Sequence, residues 1–567
     1  MSKVANGADA LFEVFKRWGI RRVFTCPGST EAAFLNGSLS HPEIDVILTT
    51  HESVAVSMAD GLSRVTREPS VAYLHANVGL ANGIAHLYAA HIAHSPVVVI
   101  NGLKPRSIAN RAAFTTAHDT RDFVRQYVKW DWEVLRREAI AEDINRAFKI
   151  STTSPRGPTW VGIAQDLLES RGEITVPDRD RYIVRSNVRP GPTAIEEAAR
   201  TLGDAKRPLL VAGDDVARAE ASDEMVALSE RLGAPVVAED RWSLESLSFP
   251  TDHPNYLGTY RPGSHVVTQA DAIFFAGARA FTEFEPSGSP AIPPSARVIH
   301  LHSDAREIAK IYGVDVSLVG DAQVTLNDLL FRLESTGVAS AATSEYLRAA
   351  REEREQQKGQ RIGLHPSEEG PIQVPALVDS LLELSDEQTI IVDDSTTSRT
   401  ALLDAFNGKR LRPLYTSSSG SLGWAMGAAL GIKLGAPGQP VVAFVGDGVF
   451  QFGLQALWAA EHYGIAVTYV VVNNQSYAAV GAALERYLGR TLSPAQFPVM
   501  DISGPKIASI SEGFGVHGIR IDRLSDFKPA FERARDREGP TVIEVMTDTT
   551  VLGPPYRPLA KGREGAG

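Results

Sequence analysis

Short apolar runs rich in valine and isoleucine recur along the whole chain. Each is followed by a turn containing glycine or serine and then by a stretch with helical spacing. Parallel strands covered by helices on both faces give this pattern, because a strand buried on both sides is apolar throughout. The predicted fold class is therefore α/β. We predict strands at 22–25, 44–49, 71–75, 96–101, 208–212, 235–238, 272–276, 297–302, 389–393, 441–445, 465–472 and 541–545.

The predicted strands fall into three groups, and a length of 567 residues suits three or four compact units. We therefore predict three doubly wound parallel-sheet domains, at 1–175, 190–340 and 365–550. The polar, proline-bearing segment 177–192 is interpreted as a linker. The strongly charged segment 344–361 is interpreted as a solvated connecting helix.

The net charge and the cysteine content limit which binding partners and which cellular compartment we expect for the protein. The chain has 57 Lys and Arg against 68 Asp and Glu, a formal charge of −11, which repels rather than recruits nucleic acid. Its single cysteine, Cys26, cannot form an intrachain disulfide, which fits a reducing compartment. The sequence shows neither a signal-peptide pattern nor an apolar stretch long enough to span a bilayer. We expect a cytoplasmic protein with no nucleic-acid or membrane partner.

The most informative segment follows the predicted strand at 441–445. That strand runs into Gly446, Asp447 and Gly448, and the next strand of the same unit ends just before Asn474. Parallel strands end at the same edge of a sheet, where ligands bind in α/β folds. The glycines allow close backbone approach, and a helix predicted to begin near residue 451 would turn its free N–H groups toward a bound phosphate. A carboxylate, an amide oxygen and a loop carbonyl beside a diphosphate are ligands that suit Mg²⁺.

This segment resembles the diphosphate-binding signature of thiamine diphosphate enzymes: Gly446-Asp447-Gly448, with Asn473-Asn474 beginning 26 residues after the aspartate. An isolated Gly-Asp-Gly would be read as a plain turn. The complete strand, turn, helix and strand unit favours the cofactor site. The resemblance implies thiamine diphosphate and Mg²⁺ as cofactors, with the metal held by Asp447, Asn474 and the backbone carbonyl of Ser476.

A second feature of the same family lies near the N-terminus. These enzymes activate their cofactor with a glutamate between a strand and a helix, and Glu52 follows the predicted strand at 44–49. A carboxyl group beside N1′ of the aminopyrimidine allows the neighbouring 4′-nitrogen to take the C2 proton of the thiazolium. A glutamate favoured by the helix dipole is the alternative reading. With both motifs in one chain, we predict a catalytic role for Glu52.

Within the family the chain resembles the decarboxylase and acetohydroxyacid synthase group, and benzoylformate decarboxylases most closely. The resemblance is strong in the first and last domains and weak in the middle one, and it implies a pyrimidine-binding, a central and a diphosphate-binding domain in that order. It implies Glu52, His75 and Ser29 as catalytic residues. The implied cofactor contacts are Asn82, Asp394, Thr396, Thr397, Gly420, Leu422, Gly446, Asp447, Gly448, Asn474 and Tyr477.

Several of these residues have an implied role and a simpler alternative. The Gly420 carbonyl would accept from the cofactor's 4′-amino group, and Leu422 would hold the cofactor bent, although a leucine there could also be plain core. Ser29 could merely cap the next helix. His75 could be a satisfied core histidine.

Departures from the family pattern bear on the substrate. The second active-site histidine of benzoylformate decarboxylases is replaced by Phe284, and Phe114-Thr115 stands where acetohydroxyacid synthases have Phe-Gln. The flavin-binding stretch of those synthases is absent, so no flavin is expected. Pyruvate decarboxylases have two adjacent histidines near His118, which is alone here. Small residues after the metal loop would enlarge the pocket, for which we predict as lining residues Phe114, Thr115, Phe284, Val480 and Ala483.

The resemblance implies a thiamine diphosphate-dependent 2-keto acid decarboxylase, a carboligase, or both, working through an enamine and using a small 2-keto acid with or without an aldehyde or keto acceptor. The alternatives are an acetolactate-synthase-like acyl transferase without flavin and a non-catalytic cofactor-binding relative. A nicotinamide or flavin oxidoreductase is disfavoured because no Gly-x-Gly-x-x-Gly follows a first strand. His86, His91 and His94 lack an acidic or cysteine partner in sequence and are not read as a metal site.

The family also implies the assembly. The Glu52 domain of one subunit would face the Asp447 domain of another, which requires a homodimer or a homotetramer.

Overall fold

The computed structural model describes residues 2–184, 187–282, 291–335, 344–362, 371–409, 414–490 and 498–547. Three six-stranded sheets, each parallel throughout and flanked by helices, occur one after another along the chain. The predicted α/β class with three parallel sheets is confirmed.

The N-terminal sheet has the strand order β3-β2-β4-β5-β7-β6, and β1 pairs with β8 in a separate antiparallel ribbon. The strands are β1 (Ser2–Asn6), β2 (Arg22–Cys26), β3 (Asp45–Leu48), β4 (Ser70–His75), β5 (Val97–Leu103), β6 (Trp130–Glu133), β7 (Thr159–Ala164) and β8 (Arg171–Val176). The helices are α1 (Gly7–Arg17), α2 (Ala32–Ser40), α3 (Glu52–Thr66), α4 (Ala76–Ile92), α5 (Arg106–Ala109), α6 (Ile140–Thr152) and α7 (Gln165–Glu169).

The central sheet has the order β11-β10-β9-β12-β13-β14. Its strands are β9 (Pro208–Ala212), β10 (Val236–Ala238), β11 (Tyr256–Thr259), β12 (Ala272–Ala276), β13 (Arg297–His302) and β14 (Val316–Val319). The helices of this part of the chain are α8 (Pro192–Asp204), α9 (Asp214–Arg218), α10 (Ser222–Leu232), α11 (His265–Thr268), α12 (Ala322–Ser335) and α13 (Ser344–Ile362). The charged segment is thus helical, as expected, although Tyr346 and Ala350 of α13 are buried.

The C-terminal sheet has the order β16-β15-β17-β18-β20-β19. Its strands are β15 (Ile390–Asp394), β16 (Tyr415–Thr416), β17 (Val441–Gly446), β18 (Thr468–Asn473), β19 (His517–Ile521) and β20 (Thr541–Met546). Its helices are α14 (Val374–Leu384), α15 (Arg399–Ala405), α16 (Trp424–Gly435), α17 (Asp447–Gly453), α18 (Ala456–His462), α19 (Ala478–Leu488), α20 (Ile507–Gly513) and α21 (Phe527–Arg535).

All twelve predicted strands are present, and most of those that sequence reasoning missed lie at sheet edges. The edge strands β6, β11, β14, β16 and β19 were not predicted, because a short strand without neighbours on one side lacks a long apolar run. One helix start was wrong. The helix expected near Gln451 begins at Asp447, where an acidic side chain is stabilised by the helix dipole.

Two helices join the N-terminal and C-terminal sheets. Glycines spaced four apart in α16 let its backbone approach α3, and a Cβ atom added at Gly431 would lie only 2.0 Å from the Met58 carbonyl oxygen. Gly427 faces Val54 and Gly435 faces Val65, so the two helices run in the same direction. One buried apolar cluster therefore spans both sheets. This packing places the beginning of α3, at Glu52, on the same side as the beginning of α16.

Among the described residues, no helix combines the length and apolar character needed to cross a membrane.

Candidate active site

Asp447 lies at the junction of β17 and α17, against the loop that follows β18. Its Oδ2 accepts from the backbone N–H of Gln475 at 2.7 Å, and its Oδ1 accepts from Gly448 at 2.8 Å. Burial raises the pKa of Asp447 to about 6, although backbone N–H groups from Gly448 and from residues 474–476 oppose this. The structure thus brings together the aspartate and the loop that the sequence placed at one sheet edge.

The loop after β18 turns sharply around this carboxyl group. Gln475 adopts a left-handed φ of 58°, which is uncommon for a residue with a side chain. The Asn474 side-chain oxygen accepts from the Ser476 N–H at 3.0 Å. Tyr477, 37 % exposed, lays its ring against Gly448, where an added Cβ would lie 2.9 Å from the ring. Asn474 and Ser476 therefore flank the aspartate on either side of the turn.

Space for a ligand is present at the same edge. A Cβ atom built on Gly446 would meet no atom within 4 Å, although this residue lies between a buried strand and the start of α17. The start of α17 lies at this edge, and the N–H of its second residue, Gly448, donates to the Asp447 carboxyl group. One carboxylate, one amide oxygen and one backbone carbonyl form a hard-oxygen donor set that fits Mg²⁺ beside a diphosphate.

The loop after β15 lies next to this space, because Asp394 at the end of β15 pairs with Val445 of β17. Thr396 and Thr397 are half-buried in this loop, and Thr396 has a left-handed φ of 50°. Asp394 has partners at the start of α16. Its Oδ2 accepts from the Gly423 N–H at 3.0 Å, and burial raises its pKa to about 7. Asp394 thus holds the start of α16.

The loop before α16 carries the two residues expected to contact the aminopyrimidine. Gly420 has a left-handed φ of 71°, and a Cβ built there would meet no atom within 4 Å. Leu422 is partly buried against the core cluster shared by the two sheets. The Ser421 hydroxyl donates to the Ala85 carbonyl of α4 at 2.7 Å, so this loop is fixed to the N-terminal part of the chain.

Glu52 is the first residue of α3, and its side chain is buried among residues of the N-terminal sheet. Its Oε2 accepts from the Asn82 side chain at 3.0 Å. A Cβ added at Gly79 would lie 2.8 Å from its Oε1. The Cys26 thiol also hydrogen-bonds to Glu52, and burial together with this carboxylate raises the pKa of the thiol to about 11. Asn82 and Glu52 are therefore neighbours, as two residues contacting one cofactor would be.

His75 ends β4 and is held by a residue that sequence reasoning missed. The fully buried Glu31 places its Oε2 2.8 Å from His75 Nδ1, and the Thr30 hydroxyl lies 2.9 Å from the same nitrogen. Glu31 also accepts from the Gly28 N–H at 2.6 Å. The N-cap of this turn is Gly28, which lacks the side chain of a capping box, so no local sequence signature indicated the role of Glu31.

The remaining predicted site residues are exposed or half-buried where the structure describes them. Ser29 is exposed at the start of the short turn Ser29–Glu31. Phe114 is 84 % exposed and Val480 52 % exposed, and Ala483 is also exposed. Thr115 is half-buried with a left-handed φ of 64° and an unpartnered buried hydroxyl. Phe284 lies outside the described residues. Within a single chain, the described residues of this group therefore do not form an enclosed pocket.

His86 in α4 and His94 just after this helix both contact backbone carbonyls. His86 Nδ1 donates to the Ser53 carbonyl at 2.8 Å, and His94 Nδ1 contacts the Arg156 carbonyl at 3.1 Å. Within the described parts of the chain, no group of three or more His, Cys, Asp or Glu side chains is arranged to hold a metal ion.

Sequence comparison with known families covers all three sheets. The C-terminal TPP binding domain of thiamine pyrophosphate enzymes matches residues 395–545, the N-terminal TPP binding domain matches residues 5–123, and the central domain matches residues 195–329. Benzoylformate decarboxylase of Pseudomonas aeruginosa is 28 % identical over 549 residues, covering 95 % of this chain and 98 % of the relative. A probable acetolactate synthase large subunit of Methanocaldococcus jannaschii is 27 % identical, covering 96 % and 92 %.

Solved structures give the same result. Benzoylformate decarboxylase from Polynucleobacter necessarius superposes with a TM-score of 0.84 at 26 % identity, covering 97 % of this chain and all of the other. The thiamine diphosphate-dependent 4-hydroxybenzoylformate decarboxylase of Rhodococcus jostii RHA1 has a TM-score of 0.83 at 28 % identity, covering 96 % and 99 %. The chain belongs to the thiamine pyrophosphate enzyme family.

Proposed function

We propose that the protein is a thiamine diphosphate-dependent lyase that decarboxylates a 2-keto acid, joins the resulting acyl unit to a second carbonyl, or does both. The observation that carries this proposal is the Asp447 carboxyl group, which lies against the 474–476 loop at a sheet edge where Gly446 leaves open space. The relatives named above include decarboxylases and synthases, which supports the same class of chemistry.

The C-terminal sheet would hold the diphosphate end of the cofactor. Mg²⁺ would be bound by the Asp447 carboxylate, the Asn474 side-chain oxygen and the Ser476 carbonyl. Thr396, Thr397 and the backbone N–H groups at the start of α17 would contact the phosphates. Bound thiamine diphosphate supplies a nucleophilic carbon and an electron sink for the departure of CO₂.

The aminopyrimidine end of the cofactor would be bound by the start of α3 and by the loop before α16. Glu52 would hold a proton against N1′ of the aminopyrimidine, and its burial makes that hydrogen bond stronger than it would be in water. The Gly420 carbonyl would accept from the 4′-amino group. Leu422 would fill the space beneath the bend of the cofactor.

His75 would act on the substrate. Because its Nδ1 is engaged by Glu31, the ring is fixed in orientation and Nε2 is the nitrogen left to exchange a proton at the substrate. Ser29, next to Gly28, would lie at the same end of the site. With phenylalanine instead of a second histidine at position 284, protonation of the product has one less donor, which favours joining the acyl unit to an acceptor.

The proposed assembly places Glu52 of one subunit opposite Asp447 of another, in a homodimer or homotetramer with Mg²⁺ and in the cytoplasm. The exposed apolar side chains of Phe114 and Val480 fit this proposal, because a partner subunit would cover them and complete the pocket. The domain limits 1–175, 190–340 and 365–550 would be the pyrimidine-binding, central and diphosphate-binding units.

A panel of 2-keto acids, assayed for CO₂ release with and without an added aldehyde, tests the proposal. Aromatic and aliphatic donors should both be included, because small residues from 478 to 483 border the proposed pocket. CO₂ release that needs no acceptor identifies a decarboxylase, and release coupled to formation of a hydroxyketone identifies a carboligase. Absence of cofactor binding in the presence of Mg²⁺ would contradict the proposal.

An acetolactate-synthase-like acyl transferase that works without flavin is the second candidate, and the acetolactate synthase relative favours it. Pyruvate as both donor and acceptor tests this reaction. The Glu52→Gln variant tests the third possibility, a cofactor-binding protein without catalytic activity. Loss of turnover with retained cofactor binding would support catalysis by Glu52. Unchanged activity would contradict the role of Glu52.

A further inference from the structure

We propose that Glu245, in the connection between β10 and β11 of the central sheet, is a positioning residue for the cofactor site. It would fix the loop that leads to Gly420, although Glu245 does not itself belong to either sheet that holds the cofactor. This inference rests on the proposed function, because it assigns Glu245 a role toward the Gly420 carbonyl.

One oxygen of Glu245 holds the loop. The carboxyl group is 3 % exposed, and its Oε1 accepts from the Ser418 N–H at 2.8 Å and from the Ser418 hydroxyl. The backbone carbonyl of Glu245 accepts from the Thr416 N–H at 2.9 Å, and Ser246 forms a bridge with Tyr415. The central sheet's connection thus lies along the segment that runs from β16 to Gly420.

The other oxygen of Glu245 holds the helix that begins at Glu52. Its Oε2 accepts from Arg64 Nη1 of α3 at 2.7 Å, and the same nitrogen donates to the Thr416 carbonyl at 2.7 Å. The Arg64 guanidinium lies over the ring of Trp424, the first residue of α16, at 4.4 Å. Glu245 is therefore at the point where α3, α16 and the loop meet.

Charge explains why this residue is a glutamate. Arg279 is also buried, with Nη2 3.5 Å from Glu245 Oε1 and 3.0 Å from the Ser418 hydroxyl. A buried guanidinium needs nearby negative charge. Arg64 also pairs with Asp60 and Arg279 also pairs with Asp214, and Glu245 is the carboxylate that the two arginines share. A neutral amide cannot accept on both sides, because one of its two ends is a donor.

The loop around Gly420 is also held by bonds between its own serines, because the Ser421 N–H donates to the Ser419 hydroxyl at 3.2 Å and the Ser419 N–H donates to the Ser417 hydroxyl at 3.3 Å. Apart from its chain neighbours, no atom lies within 4 Å of a Cβ position at Gly420, so its carbonyl is placed by the anchors on either side. Ser418 is the anchor before it, and Ser421, bound to Ala85, is the anchor after it. Loss of the first anchor would shift the carbonyl, and a displacement of about 1 Å in a catalytic site reduces the rate by about a hundredfold.

Ser418→Ala and Glu245→Gln test the proposal, with Ser246→Ala as the matched control. Ser418→Ala removes the hydroxyl bond to Glu245 Oε1 and keeps the N–H bond, so its effect should be the smaller of the two. Ser246 neighbours Glu245, and its replacement leaves both oxygens of Glu245 in place. For each variant saturated with thiamine diphosphate and Mg²⁺, three quantities are measured: the dissociation constant of the cofactor, the melting temperature, and the exchange of the cofactor C2 proton with D₂O by NMR. The exchange rate reports activation of the cofactor without any substrate.

We expect C2 exchange to fall by about tenfold or more in Ser418→Ala and further in Glu245→Gln, since positioning errors act on the rate. The Ser246→Ala control should match the wild type. Wild-type exchange rates in a folded Ser418→Ala variant, or a decrease that only follows the fraction of unfolded protein, would overturn the proposal. If Glu245→Gln does not fold, Ser418→Ala decides alone. Failure of the wild type to bind or activate the cofactor would instead contradict the proposed function.

Discussion

Replacing Asp447 by asparagine should stabilise the cofactor-free protein at pH 8 while removing its response to Mg²⁺ and thiamine diphosphate. Burial raises the pKa of this carboxyl group from its ordinary value of 3.8 to about 6, so the charged form lowers the stability of the folded chain. An asparagine has nearly the same shape and carries no charge.

The magnitude follows from the difference between the two pKa values. A shift of about 2 units corresponds to about 3 kcal/mol at pH values above both. Because the folded pKa is the higher one, the unfolded chain releases its proton first as the pH rises, and stability is lost between pH 3.8 and about 6. The amide cannot accept from both Gly448 and Gln475, which costs about 1 kcal/mol. The net gain at pH 8 is therefore about 2 kcal/mol.

The assay is unfolding of wild-type and Asp447→Asn protein without cofactor, at a series of pH values. The difference in unfolding free energy between the variant and the wild type should grow by about 1.5 kcal/mol from pH 5 to pH 8, because ionisation of Asp447 destabilises the folded wild type over this range. Added cofactor and Mg²⁺ should reverse the order, since binding at about a hundredfold over the dissociation constant stabilises by about 2.7 kcal/mol. A difference that does not change with pH, or a variant that remains Mg²⁺-responsive, would refute the reasoning.

Three further variants separate structural from functional effects. Glu31→Gln should lower turnover while leaving cofactor binding unchanged, because it weakens the 2.8 Å contact that orients His75. Steady-state kinetics and a cofactor titration measure the two quantities, and wild-type turnover in the folded variant would contradict this prediction. Gly446→Ala should leave the cofactor-free melting temperature unaltered but weaken cofactor binding, since its Cβ would enter the open space proposed for the cofactor. Calorimetric titration measures the affinity for the cofactor, and wild-type affinity would contradict this prediction. Gly431→Ala should destabilise the protein by about 1–3 kcal/mol, because its Cβ would lie 2.0 Å from the Met58 carbonyl; denaturant unfolding measures it, and wild-type stability would contradict it.

The sheet edge that carries Asp447 could be predicted from the sequence because both of its strands are local and continuous. The strands around Gly446 and Asn474 are buried on both faces, so each is an uninterrupted apolar run followed by polar residues. Parallel pairing then places the two ends together without further information. The start of α17 was displaced by one turn, because a short Gly-rich segment gives no helical periodicity.

Residues that act by tertiary contact could not be found in the same way. Glu245 reaches Ser418 and Arg64 from a different sheet, and nothing in its own neighbourhood of the sequence indicates this. The bond that Asp394 accepts from the Gly423 N–H was likewise not foreseen, and its contact with the cofactor stays a prediction. The position of a loop in space decides which group a carboxylate meets, and local sequence patterns do not carry that information.

The central claim is that Glu52 of one subunit and Asp447 of another form one cofactor site, and mixing two inactive variants tests it most directly. Glu52→Gln and Asp447→Asn chains are denatured together and refolded at equal concentrations. If the site is shared between subunits, half of the dimers are hybrids, and each hybrid contains one fully wild-type site and one doubly altered site. The mixture should then recover about a quarter of wild-type activity. Activity no greater than that of the separate variants would contradict the account, because each chain would then supply both residues of its own site.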